Sequence, residues 1–441
     1  MLFFSNIVWL IEFFLFLIRG ICVALADLYI MYMRVGVVWR RNRCRPPSME
    51  RQDLVMQLAP QSPYHSKVSV TDMHLHLNAS FIDRQLWKSL SNNNALPSAV
   101  VTGVSYGGIG FYTALHLLLS GVNVHGVVRS DTQLRQVAHM MQVAVDRQCV
   151  LHKEWMGKIG RIMLHLCDLS DTAAVSRLAD TILTDPNLRI VVCSAGPMCT
   201  PVGLSPQGLE EQFATHYVGH SLLLLRLLAH RRASNVPVRT LPPWRIVLLS
   251  SGTAATAAPN DFTTFHQWPD AAQAATFSSP FSGYNNAKMC ELLFGLALSR
   301  VVRTERRLAT CTVCMLHPGP TRSRALANSG LPLQKWLHGE AAALLCVSPV
   351  IAALFVVDLA LSKRHEQANG HFFRMGEDQT VYHQKMIHHP ETRKGFFRNS
   401  TLFPGIPGPE VALSIGNQNW LWRATIRYFV ENKLIDASSF N

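Results

Sequence analysis

From Ser98 onward the chain alternates short, predominantly apolar runs with longer amphipathic ones. This regularity constrains the fold more than any other feature of its 441 residues. Apolar runs at Ala99–Thr102, Val122–Val128, Met163–Cys167, Ile190–Cys193, Ile246–Leu249 and Thr312–Leu316 predict strands. The intervals predict helices, most clearly Gly110–Ser120, Asp171–Thr184, Gln212–Ala229 and Tyr284–Arg303. Strands apolar at every position are buried on both faces, and strands separated by helices connect in parallel. The expected class is therefore α/β, a doubly wound parallel sheet over residues 97–385. With 48% hydrophobic and 16% charged residues there is ample apolar material for such a core, which excludes a disordered chain.

The first forty residues carry a separate surplus of hydrophobicity. Leu2 to Ile18 holds one charge, Glu12, and Ile21 to Met33 holds one more, Asp27. No basic segment precedes this stretch and no small-residue cleavage site follows, so it reads as a retained membrane anchor over 1–39 rather than a signal peptide. Ser5, Glu12, Arg19, Asp27 and Arg34 recur at spacings of 7, 7, 8 and 7, which places them along one stripe of a continuous helix. About 35 helical residues would span roughly 50 Å, more than the ~30 Å hydrocarbon core requires. A tilted span, a hairpin near Gly20 and an interfacial helix all stay open.

A basic collar and linker follow over 40–96. Six arginines (Arg34, Arg40, Arg41, Arg43, Arg45, Arg51) against Glu50 contribute +5 of the formal charge of +13. Such a flank faces the cytosol and meets anionic lipid headgroups. No nucleic-acid recognition motif accompanies it, so nucleic acid is not an expected partner. The ten cysteines form no disulfide framework. Cys311-x-x-Cys314 lies in an apolar run and reads as buried strand, and no metal site is expected. The sequons at Asn78 and Asn399 would stay unmodified on a cytosolic domain.

The residues that carry chemistry sit at strand ends. The first strand runs through Thr102-Gly103-Val-Ser-Tyr-Gly107-Gly108-Ile109-Gly110 into a helix. Glycines there allow a sharp turn and close approach of a pyrophosphate to the helix N-terminus, as in a Rossmann fold. Arg129-Ser130 ends the second strand, where an arginine suits the 2′-phosphate of NADP and an acidic residue the ribose of NAD. Tyr284 and Lys288 lie at i and i+4, on one helix face; an ammonium near a phenol lowers its pKa toward the range of proton transfer. Ser250-Ser251 closes the fifth strand, where a hydroxyl reaches the same crevice.

In this order the motifs resemble the short-chain dehydrogenase/reductase family, over about residues 97–385. The glycine turn, Cys167-Asp168-Leu169, Ser194-Ala195-Gly196, Ser251, Tyr284, Lys288 and His317-Pro318-Gly319 all match in sequence. Phe213 to Leu223 (FATHYVGHSLL) and Arg129-Ser130 resemble the retinol-dehydrogenase-like branch, including its membrane-anchored enzymes acting on polyprenols. The resemblance implies Tyr284 as general acid/base and Lys288 as the group that lowers its pKa and holds the nicotinamide ribose. It implies Ser251 as hydrogen-bond partner of the substrate oxygen. NADP(H) contacts are implied for Gly103, Ser105, Tyr106, Gly108, Ile109, Gly110, Arg129, Ser130, Asp168, Leu169, Ser194, Ala195, Gly196, Tyr284, Lys288, Pro318, Gly319 and Thr321, with Asp168 on the adenine side and Thr321 at the nicotinamide carboxamide.

Three departures stand out. The glycine turn is one residue longer than the family pattern: Gly103 to Gly107 fits it, Gly108-x-Gly110 fits it, and both do not fit together. Cys193-Ser194-Ala195-Gly196 replaces Asn-Asn-Ala-Gly. His216 stands where an asparagine supports proton relay; a histidine can bind a water and titrates near neutrality, so a substituted relay is expected.

Residues 252–282 and 321–350 are insertions, the second with Leu331, Leu333, Trp336, Leu337, Leu344 and Leu345 where the family places a substrate lid. An anchor and an apolar lid suit a lipophilic alcohol or carbonyl substrate of retinoid, steroid or polyprenoid type. Endoplasmic reticulum and lipid droplet both suit such a tethered domain, and a homodimer is a further option. The extension 386–441 ends in interleaved Trp420, Trp422 and Arg423, which suit a membrane surface, a sheet edge or a subunit interface. A second functional reading, a catalytically weak lipid-binding or scaffolding protein of the same fold, stays beside the first because of His216 and the lengthened turn.

Overall fold

The structure, a computed structural model, describes residues 96–151, 159–201, 203–257, 280–321, 346–380 and 414–440. The expected anchor, nearly all of the collar and linker, both sequons and most of the two insertions lie outside the described residues. Among the described residues no helix is long and apolar enough to cross a membrane.

Eight strands form one sheet in the order β3-β2-β1-β4-β5-β6-β7-β8. They are β1 (Ser98–Thr102), β2 (Asn123–Val128), β3 (Ile162–Leu166), β4 (Leu188–Cys193), β5 (Trp244–Leu249), β6 (Cys311–His317), β7 (His371–Arg374) and β8 (Glu377–Asp378). The first seven pair in parallel, and the two-residue β8 turns back antiparallel on β7. Side chains alternate across the sheet, so neighbouring residues feed different cores. Ala99 and Val101 join one apolar cluster, and Val100 joins the other.

On the Ala99 side lie α1 (Ile109–Leu119), α2 (Asp131–Leu151) and α6 (Pro349–Leu361). On the Val100 side lie α3 (Thr172–Ile182), α4 (His220–Ala233) and α5 (Pro280–Thr304). Local chemistry starts several helices. Asp171 accepts from the Ala173 amide at the head of α3, and Ser348 with Pro349 opens α6. The expectation of a doubly wound parallel sheet holds, with the six predicted strands at their predicted places. Not predicted were β7 and β8, too short to carry a pattern, and the half-exposed setting of β3, an edge strand with Leu166 56% exposed. Cys311 and Cys314 point to opposite faces of β6 and join different cores, so they share no site.

The C-terminal helix α7 spans Ile415–Glu431. It packs on the outer face of α5, burying Leu421, Ala424, Tyr428 and Phe429, and Thr425 meets the Tyr217 hydroxyl. Trp422 stacks on Phe294 at 5.6 Å, and Arg300 donates to Asn419 at 2.8 Å. Helix α4 is preceded by a single turn, Glu211–Phe213, and a π-wound stretch, Ala214–Gly219, which sets the position of His216.

Candidate active site

Strand order reverses between β1 and β4, so the loops leaving their C-terminal ends part and open a crevice. Its floor is stitched by Thr102, whose Oγ1 accepts from the amides of Ser194 (2.9 Å) and Ala195 (3.1 Å). Ser194 donates back to the Thr102 carbonyl. The glycine turn uses both halves that the sequence spacing set against each other. Gly103 and Gly107 have φ of +72° and +77°, left-handed values that glycine adopts without penalty. Gly108 caps α1, and a Cβ on Gly110 would stand 2.5 Å from the Gly103 carbonyl oxygen. The extra residue is absorbed in the bend, so all four glycines serve one turn.

A Cβ on Gly107 would meet nothing within 4 Å, which leaves that face of the turn open to a ligand. The first turn of α1 holds no acidic residue, so its positive end is free to face an anion. Ser105 and Tyr106 complete the bend: the Ser105 carbonyl accepts from Gly108 at 2.9 Å, and Tyr106 packs edge-on against Phe111. These features fit a dinucleotide pyrophosphate.

Around the turn, the other expected cofactor residues also have local duties. Arg129 pairs with Glu211 at 3.2 Å while 56% of its side chain stays exposed. Ser130 accepts from the Gln133 amide and caps α2. Asp168 accepts from the amide and hydroxyl of Ser170 through Oδ1. Leu169 presents its carbonyl to Gly219, which has no Cβ to keep it away. Gly319, after Pro318, turns at φ +87°, and Thr321 donates to the Gly319 carbonyl at 3.0 Å. The apolar lid residues beyond Thr321 lie outside the described residues.

Ser251, Tyr284, Lys288 and His216 converge behind this turn. Ser251, not Ser250, acts on the Tyr284 phenol and also meets the Thr253 hydroxyl at 3.0 Å; the Ser250 side chain is buried with no partner among the described residues. Burial pushes the phenol well above its ordinary range, the Ser251 side chain opposes that rise, and Cys199 and Glu291 add to it. The i, i+4 spacing puts Lys288 on the same face, but its ammonium turns inward. It donates to the Leu249 carbonyl at 2.6 Å and to Glu291 Oε2 at 2.7 Å. His216 lies edge-on to Tyr284 at 5.3 Å and bonds the Pro197 carbonyl at 2.6 Å through Nε2. A carbonyl only accepts, so Nε2 carries the proton. Burial first, and Lys288 second, hold the ring far below the usual histidine range, so it is a neutral imidazole rather than a group titrating near neutrality. Its Nδ1 is left as a buried acceptor without a partner among the described residues.

The sequence reading missed Glu291 and His220. Both were signalled by spacing: Glu291 lies three residues past Lys288, and His220 four past His216, so each shares a buried face with a site residue. Among the described residues no cluster of three or more metal-ligating side chains occurs.

A nucleotide-binding sheet with a strand-end serine, a tyrosine and a lysine in one crevice defines an oxidoreductase of the nicotinamide-dependent kind. Known proteins narrow the class. No protein-family model matches the chain. An uncharacterised oxidoreductase of Schizosaccharomyces pombe is 29% identical over 289 residues, 65% of this chain and 79% of that protein. Human polyprenol dehydrogenase is 27% identical over 216 residues, 49% of this chain and 58% of that enzyme. Human retinol dehydrogenase 14 is 25% identical over 279 residues, 63% and 77% of the two chains. In sequence the chain is thus similar to oxidoreductases, among them proteins named as retinol and polyprenol dehydrogenases. Among solved structures, an uncharacterised protein from Mycobacterium paratuberculosis aligns with TM-score 0.49 and 20% identity over 76% of this chain and 93% of its own. A short-chain dehydrogenase from Shigella flexneri complexed with NADP aligns with TM-score 0.43 and 18% identity over 66% and 99%.

Proposed function

We propose that the chain is a membrane-anchored, NADP(H)-dependent oxidoreductase that interconverts a lipophilic alcohol and its carbonyl compound, of retinoid, steroid or polyprenoid type. The observation that carries this reading is the buried Tyr284 phenol, edge-on to His216 and under the influence of the Ser251 side chain, on a helix packed against the sheet that carries the open glycine turn. Bound along that turn, a nicotinamide dinucleotide supplies or accepts the hydride. Tyr284 takes the hydroxyl proton in oxidation and returns it to the carbonyl oxygen in reduction. The Ser251 hydroxyl donates to that oxygen and fixes its distance from the phenol. Gly103, Gly107 and Gly110 would give the pyrophosphate its approach, Asp168 would border the adenine, and Lys288 with Thr321 would hold the nicotinamide half.

Arg129 favours NADP: its guanidinium is half exposed, and the Glu211 pairing in high dielectric is weak enough to yield to a phosphate. The relatives named for polyprenol and retinol support a lipophilic substrate, and the apolar first forty residues support the anchor and a cytosol-facing domain at the endoplasmic reticulum or a lipid droplet.

The full chain in detergent should bind NADPH at least tenfold more tightly than NADH and turn over retinoid, steroid or polyprenoid carbonyls. Tyr284→Phe should lower kcat by about a thousandfold or more with NADPH affinity nearly unchanged. Tight NADPH binding without turnover of any of these substrates would instead support the scaffold reading.

A further inference from the structure

Along α5, Tyr284, Lys288 and Glu291 stand at i, i+4 and i+7 and form one buried stripe. Exposures of 8%, 5% and 2% leave little water to screen the two charges from the phenol. Lys288 Nζ sits 2.7 Å from Glu291 Oε2. Across from them the π-wound stretch and α4 present His216 and His220, and β4 presents Cys193, whose thiol senses both Glu291 and Lys288.

None of these facing groups is a second cation. His220 Nδ1 bonds the His216 carbonyl at 2.9 Å and so carries its proton, while Nε2 receives the Thr102 hydroxyl at 2.9 Å. Burial, with Lys288 behind it, drops His220 to about 3, and His216 is held low by the same causes. Glu291 Oε1 lies 3.7 Å from His220 Nδ1 and accepts no hydrogen bond among the described residues. Lys288 therefore answers Glu291 alone, and the pair is neutral when both are ionised.

We propose that Glu291 is a positioning residue of the active site: it draws the Lys288 ammonium inward, cancels its charge, and so sets the pH at which Tyr284 exchanges its proton. This rests on the reading of Tyr284 as the proton-transfer group. Burial pushes the Glu291 carboxyl up to about 7 against the pull of Lys288. The pair is consequently balanced above neutrality, and Lys288 acts as a bare cation below it. A neutral side chain at position 291 fixes the second condition at every pH.

The test reads the phenol directly, without substrate. Tyr284 is replaced by 2,3,5-trifluorotyrosine, whose phenol titrates well below that of tyrosine, and phenolate absorbance is followed in the full chain with and without Glu291→Gln. Glu291→Met serves as second neutral variant should the glutamine form not fold. The phenol midpoint should fall by about one pH unit in either neutral variant. An unchanged or higher midpoint would overturn the proposal. In the tyrosine enzyme, the rising limb of kcat/KM for alcohol oxidation should move to lower pH by the same amount, which a purely structural role for Glu291 would not produce. Absence of any turnover in the wild type would overturn the proposed function, while the phenol titration would still decide the role of Glu291.

Discussion

At the residue scale, the site is defined by what small residues leave room for. Gly196 has φ +150°, and a Cβ there would stand 1.8 Å from Cε1 of His216. The loop after β4 and the imidazole therefore fill one volume between them, and the edge-on contact of His216 with Tyr284 depends on it. Gly196→Ala should cost about 3 kcal/mol or more of stability, measured by denaturant unfolding. Adding His216→Ala should restore much of that loss, because the clash needs both side chains. Additive losses in the double variant would show that backbone strain at position 196, not the imidazole, sets the cost. The same residues show what spacing can and cannot say. Position i+4 was enough to put Tyr284 and Lys288 on one face, but not to say that the ammonium turns toward Leu249 and Glu291.

At the element scale, α5 carries the Tyr284, Lys288 and Glu291 stripe on one side and the seat of α7 on the other. Gly295 lets α5 lie close on the sheet, since a Cβ there would come within 2.7 Å of Leu248. On the outer side, Phe429 is fully buried in the cluster that also holds Leu292 and Phe294. Phe429→Ala should lower stability by about 3 to 5 kcal/mol in denaturant unfolding. It should also weaken NADPH binding only through the folded fraction, because α7 touches the far side of α5. A loss of affinity in fully folded protein would contradict that separation. The six long strands were legible because each is dominated by apolar residues, whereas β7, four residues long and ending in Arg374, carried no pattern above its surroundings. The interleaved Trp and Arg of α7 suggested a surface helix, and only packing revealed that Trp422 lies flat on Phe294.

For the molecule as a whole, the basic flank and apolar start are the features proposed to tie the domain to a membrane. If residues 1–39 anchor the domain, the full chain should sediment with membranes, resist extraction by high salt and be released by detergent. Removal of residues 2–39 should leave a soluble protein with unchanged NADPH affinity. Release of the full chain by salt alone would mean that the arginine collar, not the apolar segment, holds it.

The sequence by itself determined the parallel sheet, the glycine turn and the order of Ser251, Tyr284 and Lys288, because periodicity and strand-end chemistry are local properties of the chain. Tertiary structure alone decided which charges meet. The pairing of Lys288 with Glu291, the neutral state of His216 and His220, and the seat of α7 arise from burial between elements far apart in sequence. Burial also sets the cost of a charge, which no residue type or spacing specifies in advance.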